Sequence, residues 1–152
     1  MGVVTDMDGH EVLGEFHIDD LDDMANVVRS QVDVILPHGV AVLNAAIAEV
    51  AELAELCDGS VIFYACDGAL AVMAAHIAAG GRAVYLRDGK VTLAEGAQET
   101  ALLALAALKL GADAQPDSVL AAVAAAWALG IEPDLIAAGL RAFDPNPKKA
   151  HY

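Results

Sequence analysis

The sequence predicts an α/β fold: a three-layer, mostly parallel sheet with flanking helices and one antiparallel hairpin. Three observations predict it. From residue 2 to residue 86, apolar runs of strand length alternate with segments of helical period, as in strand–helix–strand crossovers of a parallel sheet. The stretch Leu36-Pro37-His38-Gly39-Val40-Ala41-Val42-Leu43-Asn44-Ala45 sets a helix stop directly before a continuous apolar strand, and such a strand suits a sheet covered on both faces. Asp88-Gly89 separates two strand-like runs, residues 83–87 and 90–93, and Asp-Gly is a favoured pair for a two-residue hairpin turn. At least four parallel strands and one antiparallel ribbon are expected.

Gly2-Val3-Val4-Thr5 reads as a buried strand with no helix or cap ahead of it, which suggests a start inside a larger architecture. Residues 6–11 form a polar loop. Over 19–36 the residues Leu21, Met24, Val28, Val32 and Ile35 recur every three or four positions, so an amphipathic helix is expected with Asp19 or Asp20 as its N-cap. A second helix is expected over 47–57, ended by Asp58-Gly59, then a strand over 61–65. Leu70, Met73, Ala74 and Ile77 mark a third helix, closed by Gly80-Gly81, before the strand that begins at Arg82. Residues 100–110 are apolar and fit strand or helix, with strand the choice for the first half, and 111–115 form a loop. Pro116 suits the first turn of a helix that buries Val119, Leu120, Val123 and Trp127 and stops at Gly130. Pro133 opens the last helix, with Leu135, Ile136, Leu140 and Phe143 inward. The domain is expected over 1–143, and the two prolines and polar residues after it make 144–152 a linker or tail.

Composition narrows the functions. At 152 residues the chain can bury one core. Its formal net charge of −14, from 22 acidic and 8 basic residues spread along the chain, argues against nucleic acid as a partner, because phosphate binding needs clustered Lys and Arg. Hydrophobic residues reach 57%, but much of this is alanine, and charged residues or glycine break the runs before membrane-spanning length. Residues 1–14 contain no Lys or Arg, so the basic start of a secretory signal is lacking and a cytoplasmic location is expected. Cys57 and Cys66 form no CxxC pair and read as buried, reduced thiols.

Two places carry candidate chemistry. Asn44 falls at the carboxyl end of the organising strand, where open α/β sheets gather their ligands. Its amide can both donate and accept, as the edge of an adenine requires, or it can cap the helix that begins near Ile47. Asp6, Asp8, His10 and Glu11 put three carboxylates and an imidazole within six residues, a composition able to hold a divalent cation through oxygen ligands or to make a solvated turn. Asp8, His10 and Glu11 are the metal candidates. Of the other histidines, His17 and His38 read as surface or capping groups, and His76 lies on a helix flank.

Gly2-Val3-Val4-Thr5, the stretch 36–45 and residues 122–143 with their Ala-Ala-Trp-Ala-Leu-Gly-Ile core resemble the second half of the central ATPase domain of Mur-type ligases. Within that group the chain is most similar to the Mur-like part of cyanophycin synthetases. The resemblance implies ATP and Mg²⁺ as cofactors, activation of a carboxylate as an acyl phosphate, and attack by an amine to form an amide. It places Asn44 at the family's adenine-contacting asparagine and lays the family's Asp-His over His10 and Glu11, or over Asp8 and His10. The departures are informative. The family's Gly-rich phosphate loop has no counterpart, the acidic pair after the asparagine is replaced by Ala46 and Ile47, and the His-Asn-x-x-Asn segment has become Ala114-Gln115-Pro116-Asp117-Ser118. Without a phosphate loop the triphosphate has no cradle, so two readings follow. One is a fragment or paralogue of an ATP-dependent carboxylate–amine ligase, inactive alone. The other is a non-catalytic α/β module that pairs with itself or with a full-length relative, as a homo-oligomer or with a partner polypeptide completing the domain.

Overall fold

The computed structural model describes residues 1–146. The chain runs β1 (Gly2–Val4), α1 (Leu21–Asp33), β2 (Val40–Asn44), α2 (Ala48–Ala51), β3 (Ser60–Asp67), α3 (Ala71–Ala78), β4 (Arg82–Arg87), β5 (Lys90–Glu95), β6 (Gln98–Ala104), α4 (Pro116–Ala128) and α5 (Pro133–Ala142). The six strands form one sheet in sequence order, β1 to β4 parallel and β4, β5 and β6 antiparallel. The fold class is the expected one.

Local chemistry explains most of these elements. Asp20 caps α1, its carboxylate accepting from the Asp23 amide at 2.9 Å, and Asp22 and Asp23 complement the dipole of the first turn. The helix is shorter than the 19–36 expected. It ends at Asp33, and Pro37 and His38 make the turn into β2, with the Gly39 amide donating to the Leu36 carbonyl at 2.7 Å. Asp88 and Gly89 both take positive φ, 51° and 73°, and Arg87 pairs with Lys90 across them, so the hairpin stands where the sequence put it. A second turn at Gly96-Ala97 returns the chain into β6, which begins at Gln98, ahead of the residue 100 expected for that strand. The region expected as a helix over 47–57 holds one α turn that tightens into a 3₁₀ segment, Glu52–Leu56. The greater rise of a 3₁₀ helix carries the chain further per residue towards β3 while still burying Leu53.

The crossover helices α1 and α3 and the α2 segment lie on one face of the sheet, over Leu43, Phe63 and Tyr85. The other face carries α4 and α5 over Val42, Ile62, Tyr64, Val84 and Leu93. Alternate residues of β2 and β3 thus serve opposite cores, which is why these runs are apolar without interruption. Three inward assignments change. Leu21 is exposed at the start of α1, and Leu135 and Phe143 are 65% and 53% exposed. Helix α5 lies against β6 and α4 at the margin of the sheet, so only the stripe through Ile136 and Ala137 is covered. Of the tail expected over 144–152, residues 147–152 lie outside the described residues. No helix among the described residues is long and apolar enough to cross a membrane.

Candidate functional site

At the carboxyl ends of β1, β2 and β3, a cavity of about 330 Å³ opens between the sheet and the first turn of α4. Thr5 and Asp6 come from the end of β1, Asn44 from the end of β2, and Tyr64 from β3 just before its register shifts. Asp117 and Ser118 come from α4, whose Pro116 fixes the helix start and so sets these two side chains over the strand ends. Among the described residues no Lys or Arg lines the cavity.

Asn44 is 6% exposed. Its Nδ2 donates to the Thr5 carbonyl at 3.0 Å, and its Oδ1 accepts from the Ala46 amide at 3.0 Å. The side chain therefore ties β1 to β2 where the ladder ends and shapes the turn into α2, whose N-cap is Ile47. Asn44 is not the helix cap that one of its two sequence readings made it. An amide carries two donor hydrogens and two acceptor lone pairs, so one of each is left after these two bonds.

The carboxylates are also in use. Asp6 accepts from the Thr5 hydroxyl at 3.0 Å and from the Asp8 amide at 3.1 Å. Asp117 accepts from the Cys66 thiol at 3.0 Å. Burial, the hydrogen bond to Asp117 and the charge of Asp117 push the Cys66 thiol up to about 11. Burial, with the negative charges of Asp117 and Asp6, pushes the Tyr64 phenol up to about 12. Both shifts favour the protonated forms, so the thiol is held as a donor and not as a thiolate nucleophile. Above about pH 9 the unfolded chain releases the Cys66 proton while the folded chain keeps it, so stability falls between about pH 9 and 11. Melting temperature measured across that range is expected to decline, and Cys66→Ser is expected to flatten the first part of the decline.

The metal candidates of the N-terminal loop are placed elsewhere. His10 and Glu11 lie in a 3₁₀ turn, His10–Val12, and His10 lines a separate recess with Asp19, Asp20 and Asp22. The His10 Nδ1 is buried and finds no hydrogen-bond partner among the described residues. No group of three or more His, Cys, Asp or Glu side chains able to hold a metal ion occurs among the described residues, so Asp8, His10 and Glu11 are not brought together as one. Of that loop only Asp6 reaches the cavity at Asn44. Cys57 and Cys66 are both free and half-buried. His76 is no mere flank residue: its Nε2 lies 3.0 Å from the Val61 carbonyl, and its ring meets Phe63 edge to face. Tyr64, Asp117 and Ser118 were absent from the sequence candidates for the site. The signal that could have found the last two was Pro116 at a helix start, since the first turn of a helix facing strand ends lies over a ligand crevice.

No protein-family model matches the chain. Among curated proteins, cyanophycin synthetase of Synechocystis sp. is 31% identical over 153 residues, 98% of this chain and 17% of that protein. Cyanophycin synthetase of Geminocystis herdmanii is 29% identical over 150 residues, 96% of this chain and 17% of that protein. That of Nostoc sp. is 29% identical over 96 residues, 63% of this chain and 10% of that protein. The chain thus spans less than a fifth of the length of these relatives. Along nearly its whole length, this chain is similar to one segment of cyanophycin synthetases.

Proposed function

We propose that the chain is part of an ATP-dependent carboxylate–amine ligase of the cyanophycin synthetase type and does not run the reaction alone. The observation that carries this reading is the cavity at the strand ends. Asn44, at the position of the family's adenine-contacting amide, lies beside Asp6 and Asp117 with no cationic side chain among the lining residues. One N–H and one lone pair of Asn44 remain for a nucleobase edge after Thr5 and Ala46 are satisfied. A triphosphate does not fit these residues, because two carboxylates repel it and, among the described residues, no Lys, Arg or Gly-rich loop at the cavity offsets its charge. The residues of this chain hold the nucleoside end, and the phosphate loop comes from outside these 152 residues, as another segment or a partner polypeptide. Phosphate release and amide formation assayed with the purified chain, and with the chain mixed with a phosphate-loop fragment of a cyanophycin synthetase, test the division of labour. No turnover is expected from the chain alone, and turnover there would overturn the reading.

A second reading, assembly without catalysis, is favoured by the opposite end of the sheet. Among the described residues strand β1 pairs only with β2, leaving one edge free, and Met1, Val34, Leu36 and Leu129 are exposed around a recess of about 490 Å³ beside it. An open edge next to apolar surface is a template for association. Light scattering over a dilution series is expected to show self-association. A monomer at every concentration, with no binding of an apolar-surface dye, would contradict it.

A further inference from the structure

A further cavity, of about 610 Å³, lies on the layer of α1 and α3 and shares no lining residue with the cavity around Asn44. Its walls are alanines of the α2 segment and α3, among them Ala51, Ala54 and Ala75, and Phe63 and His76 also line it. The His76 ring is fixed, because its Nε2–H donates to the Val61 carbonyl at 3.0 Å while its edge meets the Phe63 face at a centroid distance of 4.8 Å. Two flat rings at right angles therefore form part of a rigid apolar lining.

Two further observations say what such a groove would accept. Helix α3 carries no Asp, Glu, Lys or Arg in its eight residues, and its exposed Ala75 and half-buried Val72 line the groove. A helix apolar on all sides normally meets apolar matter on all sides. Glu52 and Glu55 both line the groove, because residues i and i+3 of a 3₁₀ helix eclipse one another. Neither forms an ion pair among the described residues. The volume matches that of small-molecule sites, which bury an apolar body and orient it by a few polar groups.

We propose that this groove binds a small, flat apolar molecule carrying a cationic amine, with its ring against Phe63 and His76 and its charge at Glu52 and Glu55. The net charge of −14 also draws cations to the surface. This goes beyond the ligase reading and rests on none of the residues that line the cavity at Asn44. The test titrates the intact chain with tryptamine and with indole-3-acetate, the same ring with opposite charge, and follows the backbone amides by NMR. Tryptamine is expected to give saturable shifts confined to residues 45–55 and 72–76, with affinity about fivefold or more above that of indole-3-acetate. The double substitution Glu52→Gln, Glu55→Gln is expected to remove that preference, and Ala75→Leu to fill the groove and abolish the shifts. Equal affinity for the two probes, shifts scattered over other cavities, or binding retained in Ala75→Leu would overturn the proposal. The comparison of probes needs no variant, so it holds even where a substitution disturbs the fold.

Discussion

Leu120→Ala is expected to destabilise the fold by about 2–5 kcal/mol, the range for deleting a fully buried leucine. Leu120 is completely inaccessible in the centre of α4 and belongs to the core formed with Ile62, Tyr64 and Val84. Helix α4 lies across β2, β3 and β4 and is the main cover of that face. The neighbours of Leu120 on the helix are already small, Ala121 and Ala124 among them, so little can move in to fill the space. Urea unfolding of the two proteins checks this through the shift in midpoint at constant slope. A loss under about 1 kcal/mol would mean that α4 is not packed as described. The same substitution also bears on the site, since α4 delivers Asp117 and Ser118 to the strand ends.

Asn44→Ala is expected to lower stability by about 2 kcal/mol with no ligand present, because it leaves two polar groups of the strand ends without their partner. Those groups are the Thr5 carbonyl and the Ala46 amide. The effect separates the structural duty of Asn44 from any contact with a nucleobase, since it is measured on the free protein. Asn44→Asp is the informative companion. A carboxylate keeps the acceptor for Ala46 but sets an oxygen against the Thr5 carbonyl and a buried negative charge near Asp6 and Asp117, so a loss at least as large as that of Asn44→Ala is expected from it at neutral pH. Equal stability of all three proteins would remove Asn44 from the framework of the site.

How much of this was legible in the sequence follows from where each decision is made. The turn at Asp88-Gly89 and the strand after Pro37 and Gly39 depend on the conformations open to two or three residues, and the structure repeats the sequence reading there. The α/β class rests on alternating periods over many residues and was equally legible. Where the chain meets a margin of the sheet, periodicity misleads. Leu135 and Phe143 have helical spacing with Ile136 and Leu140, but α5 is covered along one narrow stripe, and nothing in the residues themselves says how wide that cover is. The 3₁₀ segment after α2 answers to the distance between β2 and β3, a property of the sheet. In the site, Asn44 was legible because it closes a strand. Tyr64 and Asp117 were not, because they are far apart in sequence and meet only when α4 folds back over β3.

Asn44 is the proposed nucleoside contact, and among the described residues no Lys or Arg lines its cavity as a cradle for phosphates. Calorimetric titration of the purified chain with Mg²⁺-ATP, run beside Asn44→Ala, tests it most directly. A neutral hydrogen bond exchanged against water nets about 0.5–1.5 kcal/mol, so one amide contact supports only binding weaker than about 1 mM, and no saturable heat is expected below that concentration with either protein. Micromolar binding by the chain, lost in Asn44→Ala, would contradict the account, because the phosphates would then be held by residues that it leaves without that role.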